Sequence, residues 1–269
     1  MDLSKVKLVV SDMDGTLLNT NGKVSDDFFE LFESLKSHNI HFVAASGRQY
    51  DSITNKLARI KDEITIIAEN GGVAKQGEKE LLFTKLPENY IISIIEQLRK
   101  LDHVHTVLCG KDEAYIESTD PDFIKMFSEY YKSFQSVEDL TKVDFSNLLK
   151  IAVFHPESSE EFIYPTVKHL ESELQVKVSG KNWLDLSHPN ANKGYALKLL
   201  QEQLGIQREE TMVFGDYNND LEMLDLAYFS YAMENAHPNV VKAAKFQTRS
   251  NDNGGVEYIL NQLLAAKKV

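Results

Sequence analysis

The chain has 269 residues, of which 42% are hydrophobic and 26% charged, and its formal net charge is -12 at pH 7. The length suits two domains, and the composition is ordinary for a soluble globular protein. An acidic surface argues against nucleic acid and anionic membranes as partners, because both require patches of lysine and arginine. Apolar runs stay below the ~20 residues of a membrane span, and the N-terminus lacks signal-peptide architecture. We therefore expect a cytoplasmic protein.

The cysteine and histidine content points away from disulfides and zinc. Cys109 is the single cysteine, so it cannot form an internal disulfide, and we expect it to fill apolar space in a strand. The eight histidines lack the spacing of a metal site, and we assign them no role.

The first part of the chain alternates between strand and helix. Short apolar runs predict strands at 6–11, 40–46 and 63–70, and apolar residues at helical spacing predict helices at 25–39 and 49–60. Ser25 is the expected N-cap of the first helix. Strands that alternate with helices form right-handed crossovers and a parallel sheet.

The middle of the chain has a different pattern. The predicted elements are a hairpin at 71–85, a helix at 88–101, β-rich stretches within 105–118, a helix near 121–131, a strand at 148–154, a helix at 157–173 and paired strands within 174–187. Strands joined by tight turns, with helices between them, predict an antiparallel sheet with helices on one face.

The first pattern returns near Lys193. Helices are predicted at 192–204, 218–226, after Pro238 and at 254–264, and strands at 211–216 and 227–233. The fold class is therefore α/β, with a Rossmann-like, doubly wound parallel-sheet core. We expect this core to be discontinuous, formed by 1–84 and 188–269, with an α+β insert at 85–187.

Polar residues follow the predicted core strands at the points where the strands end. The first strand ends in Asp12, Asp14, Gly15 and Thr16, the second in Ser46, Gly47 and Arg48, and the third in Glu69, Asn70, Gly71 and Gly72. The strand at 211–216 ends in Gly215 and Asp216, and Asn218, Asn219 and Asp220 follow it. Lys193 begins a core helix. Open parallel sheets bind ligands outside the carboxyl ends of their strands, so we expect a site at this edge.

These residue types fit phosphoryl transfer. Several carboxylates call for a hard cation such as Mg²⁺, which proteins hold through one or two carboxylates, waters and substrate phosphate oxygens. A Ser-Gly turn that opens a helix offers a hydroxyl and backbone N–H groups to an anion, and a lysine adds a point charge. Phosphoryl transfer needs mostly such positioning and neutralisation of charge.

A carboxylate is the expected nucleophile, because neither a Ser-His nor a Cys-His pair stands out in the sequence. Carboxylates can attack phosphorus and form an aspartyl-phosphate. Asp12 and Asp14 would then divide the work: one attacks, and the other protonates the leaving oxygen and later deprotonates water. One intervening residue in an extended strand places both side chains on the same side, and Gly15 permits the chain to bend after Asp14.

Four segments resemble the signature motifs of the haloacid dehalogenase superfamily. They are "DMDGT" at 12–16, "SGR" at 46–48, the lysine of "ANKGYAL" at 191–197 and "GDYNND" at 215–220. The insert between the second and third motifs, together with "AENGG" and "NDNGGVEYIL", is similar to the Cof-type subfamily of sugar-phosphate phosphatases. The resemblance covers the whole chain, and it implies that the insert is a mobile cap domain that reads the leaving group.

The resemblance also implies a role for each residue. Asp12 would be the nucleophile and a Mg²⁺ ligand, and Asp14 the general acid and base whose backbone carbonyl binds Mg²⁺. The other implied roles are a third metal ligand (Asp216), support of the metal shell, directly or through water (Asn219 and Asp220), phosphate binding (Ser46, Gly47 and Lys193), and contact with substrate or cap (Arg48 and Asn70). The dehalogenase branch is disfavoured because Asp14 and the metal carboxylates suit phosphoryl chemistry.

The expected function is a Mg²⁺-dependent phosphatase that hydrolyses a small phosphorylated metabolite, such as a sugar phosphate, through an aspartyl-phosphate. The alternatives are a phosphotransferase or mutase on the same scaffold, and a non-catalytic regulator that binds a ligand. Single residues also have structural alternatives. Lys193 could be solvated on its helix, Arg48 could form a structural ion pair, and 218–220 could cap a helix. Tyr115 and Trp183 could line the ligand face of the insert or pack in its interior.

Overall fold

The structure is a computed structural model that describes residues 2–131 and 133–267. The chain divides into two compact units. Unit 1 consists of Met1–Leu82 and Asn192–Val269, and unit 2 of Phe83–Ala191. Among the described residues, no helix combines the length and the apolar character that crossing a bilayer requires.

Strands and helices alternate through much of the chain. The strands are β1 (Leu8–Asp12), β2 (His41–Ala45), β3 (Thr65–Ala68), β4 (Val73–Gln76), β5 (Lys79–Phe83), β6 (His105–Gly110), β7 (Ala114–Ile116), β8 (Phe134–Ser136), β9 (Leu148–Phe154), β10 (Gln175–Val178), β11 (Trp183–Ser187), β12 (Thr211–Gly215), β13 (Phe229–Ala232) and β14 (Phe246–Gln247). The helices are α1 (Asp26–Ser37), α2 (Tyr50–Lys56), α3 (Glu88–Leu98), α4 (Pro121–Tyr130), α5 (Ser159–Phe162), α6 (Tyr164–Val167), α7 (Lys193–Leu204), α8 (Leu221–Asp225), α9 (Pro238–Ala243) and α10 (Gly255–Lys267).

Unit 1 is built on an eight-stranded sheet with the order β14-β13-β12-β1-β2-β3-β4-β5. β1 lies inside the sheet and pairs in parallel with β2 and with β12. β4 returns antiparallel to β3. Because Asp12 is in register with Ala45, and Ser11 with Phe214, the ends of β1, β2 and β12 lie side by side. The predicted α/β fold class is confirmed.

The two faces of this sheet are buried by different helices. Alternate residues of a strand point to opposite faces. Val9 therefore joins an apolar cluster with α1 and α10, whereas Leu8 and Val10 join a cluster with α7, α8 and α9. Phe28 of α1 is fully buried, and burying such a side chain contributes about 1.5–3 kcal/mol. α1 begins as predicted, because the hydroxyl of Ser25 accepts a hydrogen bond from the Phe28 N–H at 3.1 Å.

Unit 2 contains a six-stranded sheet with the order β10-β11-β9-β6-β7-β8. Its pairings are antiparallel except for the parallel pair β7 and β8. The prediction that helices cover one face is wrong. Leu108 and Ile151 pack with α3, whereas Val107 and Ala152, which point to the opposite face, pack with α4.

Three smaller differences from the predicted elements have local causes. The helix predicted at 157–173 is broken into α5, α6 and a 3-10 helix at Lys168–Ser172, because Pro165 lacks the N–H and clashes with the preceding turn. The strands β8 and β14 were not predicted, because they have only three and two residues, too few to show a periodic pattern.

Cys109 is buried in β6 as expected. Trp183 is partly buried and packs against Phe154.

Candidate active site

The end of β1 places the carboxylate of Asp12 beside a buried lysine. Asp12 is 5% exposed, and Lys193 is fully buried. The Nζ atom of Lys193 lies 2.5 Å from Oδ1 of Asp12 and 2.7 Å from Oδ1 of Asp220. The alternative of a solvated lysine is therefore excluded, and a single ammonium group joins two carboxylates that come from different strand ends.

Lys193 reaches this position because the start of α7 packs tightly against the segment after β3. The side chain of Asn192 caps α7 by accepting a hydrogen bond from the Tyr195 N–H at 2.7 Å. Gly71 has a φ of +95°, and a Cβ atom there would lie 2.2 Å from the carbonyl oxygen of Asn192. Only glycine fits this conformation and this approach, so Gly71 allows the start of α7 to lie against the segment after β3.

Asp216 follows β12 and meets the turn that follows β1. Its Oδ1 atom accepts a hydrogen bond from the Thr16 hydroxyl at 3.1 Å. Gly15 has a φ of +78°, and a Cβ atom there would lie 2.3 Å from Oδ2 of Asp216. The glycine of the first motif therefore allows the two carboxylate-bearing segments to approach one another.

Asp220 connects the loop after β12 with the lysine. Its Oδ2 atom accepts hydrogen bonds from the backbone N–H groups of Asp216 at 2.9 Å and Tyr217 at 3.1 Å. Its Oδ1 atom accepts from Lys193. Both oxygens of Asp220 thus have protein donors, and its side chain holds the loop and Lys193 in place.

The carboxylates of Asp12, Asp216 and Asp220 form a cluster in which one oxygen of each lies within 4.8 Å of the others. Burial raises the pKa of Asp12 well above its ordinary value, and the charges of Asp220 and Asp216 add to this while Lys193 opposes it. Burial and the charge of Asp220 raise the pKa of Asp216 to about 6. Burial alone would lower the pKa of Lys193, but Asp12 and Asp220 outweigh burial and the net pKa lies above the ordinary lysine value.

This cluster fits a cation. Oδ2 of Asp12 is buried and has no hydrogen-bond partner among the described residues. An unpaired buried carboxylate oxygen is costly, and the ammonium group of Lys193 contacts only two of the three carboxylates, those of Asp12 and Asp220. Oxygen ligands of this kind suit a hard divalent metal.

The segment after β2 supplies the predicted phosphate-binding groups. Ser46 is 1% exposed, and its Oγ atom accepts a hydrogen bond from the Arg48 N–H at 3.1 Å. A Cβ atom on Gly47 would lie 3.0 Å from the side chain of Asn70. The Oδ1 atom of Asn70 accepts a hydrogen bond from Asn219 at 3.0 Å. Asn70 thus links the ends of β2 and β3 with the loop after β12.

Arg48 forms an ion pair with Asp14, which is the structural alternative that the sequence left open. Nε of Arg48 lies 2.6 Å from Oδ2 of Asp14, and Nη2 lies 2.6 Å from Oδ1. Arg48 therefore contacts the predicted acid and base directly within unit 1.

Sequence reasoning missed Asn235. Its side chain donates a hydrogen bond to the carbonyl oxygen of Gly15 at 2.8 Å, which steadies the turn after Asp14. Asn235 follows β13, a parallel strand whose end lies at the same edge of the sheet as that of β1. Its position after a core strand was the available signal.

Comparisons with known proteins agree with the motifs. The family model of the haloacid dehalogenase-like hydrolases matches residues 9–260. The 5-amino-6-(5-phospho-D-ribitylamino)uracil phosphatase YbjI of Escherichia coli is 35% identical over 266 residues, which cover 96% of each chain.

Two solved structures share the fold over nearly their whole length. A Eubacterium rectale protein is 27% identical with a TM-score of 0.89, and the match covers 96% of this chain and 99% of that one. A Thermotoga maritima protein is 30% identical with a TM-score of 0.85, and the match covers 96% and 97% of the two chains.

Proposed function

The chain belongs to the haloacid dehalogenase-like hydrolases, and we propose that it is a phosphatase that releases phosphate from a small phosphomonoester through an aspartyl-phosphate on Asp12. The observation that carries the proposal is the buried cluster at the end of β1. Asp12 lies there beside the ammonium group of Lys193. Asp14, two residues later, is exposed and can therefore reach a different part of the substrate.

In the first step, a carboxylate oxygen of Asp12 attacks phosphorus. A bond forms between this oxygen and phosphorus, and the bond from phosphorus to the ester oxygen breaks. Asp14 in its protonated form gives its proton to the departing oxygen, so that an alcohol leaves rather than an alkoxide. Ser46 and Lys193 donate hydrogen bonds to the phosphoryl oxygens, on which negative charge is spread.

In the second step, water attacks the phosphorus of the aspartyl-phosphate. Asp14, now ionised, takes a proton from this water. The bond from phosphorus to Asp12 breaks, inorganic phosphate forms, and the Asp12 carboxylate is regenerated. The Ser46 side chain suits both steps, because its oxygen already accepts from the Arg48 N–H and its own O–H has no acceptor among the described residues.

The divalent cation that the cluster fits is, in our proposal, Mg²⁺. Asp12, Asp216 and the backbone carbonyl of Asp14 would hold it. When bound, it would neutralise charge on the carboxylates and on the phosphoryl oxygens. Asp220 would act indirectly, because both of its oxygens already accept hydrogen bonds. Asn219, whose side-chain amide donates a hydrogen bond to Asn70, would support the residues around the metal.

We propose a sugar or polyol phosphate, or a similar metabolite, as substrate. The name of the Escherichia coli relative specifies a phosphorylated ribityl compound, and that compound belongs in any substrate panel. We further propose that unit 2 is the cap that distinguishes leaving groups. Substitutions in unit 2 at residues that face the substrate should change the ranking of substrates more than the requirement for metal.

The test is phosphate release by the purified full chain with Mg²⁺. The panel contains sugar phosphates, nucleotides, pyridoxal phosphate, the ribityl compound and 4-nitrophenyl phosphate. Asp12→Asn should abolish turnover, whereas Asp51→Asn, on the exposed side of α2, should leave it unchanged. Mass spectrometry should exclude deamidation of the introduced amide back to aspartate.

Substantial turnover by intact Asp12→Asn protein would contradict the aspartyl-phosphate mechanism. Consumption of a monoester only when an acceptor alcohol is present, with the phosphoryl group transferred to that alcohol instead of released as inorganic phosphate, would indicate a phosphotransferase. A panel in which no monoester is hydrolysed would contradict the proposed function.

A further inference from the structure

The contact between Arg48 and Asp14 uses the full fork of the guanidinium group. Two N–H donors of Arg48 meet the two carboxylate oxygens of Asp14, each at 2.6 Å. Paired donors in this planar arrangement fix the plane of a carboxylate as well as its position. Among the described residues, no other group donates a hydrogen bond to the Asp14 carboxylate.

Arg48 is itself held in place from several sides. Its Nη1 donates to the Ser52 hydroxyl in α2 at 3.2 Å. Its backbone N–H donates to Ser46, and its carbonyl oxygen accepts from the Glu69 N–H at 2.9 Å. The backbone of Arg48 is therefore anchored to the ends of β2 and β3, and its guanidinium group to α2. Asp14 is half exposed, with 52% of its side chain accessible.

We propose that Arg48 is a positioning residue, which holds the Asp14 carboxylate in the orientation from which it exchanges protons with the leaving oxygen and with water. The inference rests on the proposed function of Asp14. A carboxylate offers about four lone-pair sites, and the fork occupies one on each oxygen. Each oxygen keeps a further site for a proton or for a water molecule.

Two other roles for Arg48 agree less well with its contacts. A guanidinium that binds the substrate phosphate would have to turn its fork toward phosphate, whereas Nε and Nη2 point to Asp14 and Nη1 points to Ser52. A purely stabilising ion pair is also a weak explanation, because the two side chains are 36% and 52% exposed and pairs this exposed add little to stability.

The distinguishing measurement is the dependence on the leaving group. A sugar alkoxide needs a proton as it departs, whereas 4-nitrophenolate departs without one. Misorienting Asp14 should therefore lower kcat/KM for the best sugar phosphate of the panel by roughly 10- to 100-fold in Arg48→Gln. The value for 4-nitrophenyl phosphate should fall by less than about 3-fold, because its first step needs no general acid.

Three further variants test the route of the effect. Arg48→Lys keeps the charge but not the fork, and it should restore only part of the loss. Ser52→Ala removes only the contact of Nη1. It should lower kcat/KM in the same pattern as Arg48→Gln, with the larger loss for the sugar phosphate, but by a smaller factor. Arg59→Gln breaks an exposed ion pair with Asp26 in the same unit, at 2.9 Å. It should leave kcat/KM unchanged for both substrates.

A double substitution shows whether Arg48 acts through Asp14. If it does, Arg48→Gln should cause no further loss in a chain that already carries Asp14→Asn. An equal loss on both substrates in Arg48→Gln, or an additional loss in the double variant, would overturn the inference. If Arg48→Gln does not fold, Arg48→Lys and Ser52→Ala decide by the same criterion.

The proposed function fails in a different way. If wild type hydrolyses no monoester, or if Asp14→Asn lowers kcat/KM equally for both substrates, the general-acid role of Asp14 is wrong. If Asp14→Asn selectively lowers sugar-phosphate turnover and Arg48→Gln does not, the proposed function stands and the positioning role is wrong.

Discussion

Replacing Lys193 with methionine should destabilise the protein as well as inactivate it. Lys193→Met keeps a side chain of similar length but removes the only ammonium group that contacts Asp12 and Asp220 among the described residues. Lys193 and Asp220 are fully buried, and Asp12 is nearly so. Breaking a buried ion pair by removing one partner costs about 3–5 kcal/mol, because the remaining charge is left unpaired.

This cost corresponds to a large shift in the unfolding temperature. For proteins of this size, each kcal/mol changes the midpoint by about 2–4 °C, so Lys193→Met should unfold roughly 6–20 °C below wild type. The difference should shrink as the pH is lowered, because the raised pKa of Asp12 allows that carboxyl to be neutralised by a proton instead of by the ammonium group.

The measurement is thermal unfolding of the full chain in EDTA, followed by far-UV circular dichroism at several pH values. Lys198→Met is the matched control, because Lys198 lies exposed on the same helix, and it should unfold within a degree or two of wild type. Turnover in Mg²⁺ should be lost only in Lys193→Met. If Lys193→Met unfolds at the same temperature as wild type and still releases phosphate, Lys193 neither stabilises the buried cluster nor takes part in turnover.

Three further outcomes follow from the same geometry. Gly15→Ala should abolish turnover, since a Cβ atom would lie 2.3 Å from the Asp216 carboxylate on a backbone with φ of +78°; full activity would show that the turn can move without loss. The pKa of Asp216 is raised from 3.8 to about 6 in the folded, metal-free protein. Between these pH values the folded protein therefore binds more protons than the unfolded protein. The contribution of Asp216 to stability falls as pH rises from about 4 to about 6 and stays low above it. Burial lowers the pKa of His41 and of His105, so these two groups reduce stability as pH falls through their range. The test is therefore the difference between the stability of wild type and that of Asp216→Asn, measured as a function of pH. A difference that does not change with pH would contradict the raised pKa of Asp216. EDTA should stop turnover, Mg²⁺ should restore it and Ca²⁺ should restore it poorly, because its larger and more variable shell misplaces the nucleophile; undiminished activity in EDTA would exclude the metal role.

The location of the site was predictable because it depends on topology. Asp12 ends a parallel strand, Ser46 and Asp216 each directly follow one, and parallel strands present their carboxyl ends at one edge of a sheet. The bonds made there were less predictable. Lys193 contacts Asp12, which is 181 residues away in the sequence, and Asp220, which is 27 residues away. Strand periodicity does not indicate which carboxylate a flexible lysine will contact.

Arg48 shows the same limit at a single side chain. Its place after β2 indicated the site, but the direction of its guanidinium group depends on rotamers and on the contact with Ser52 in α2. The error in unit 2 was different, because the signal was present. β9 is buried at successive positions, and a strand buried on both faces is typical of a sheet covered on both sides. Pro165 likewise marked the break between α5 and α6, since proline is tolerated only in the first turn of a helix.

The charge of the cluster explains why protons and a divalent cation should compete for it. Asp12, Asp216 and Asp220 contribute three negative charges and Lys193 one positive charge, which leaves -2 when all are ionised. A phosphate monoester brings up to about two further negative charges to a protein whose net charge is already -12. Without metal, the raised pKa values of Asp12 and Asp216 let protons reduce this excess, but a protonated Asp12 is a poor nucleophile. A divalent cation would compensate the same charge while leaving Asp12 ionised, so binding of Mg²⁺ near neutral pH should release protons, which a weakly buffered solution with an indicator dye would record.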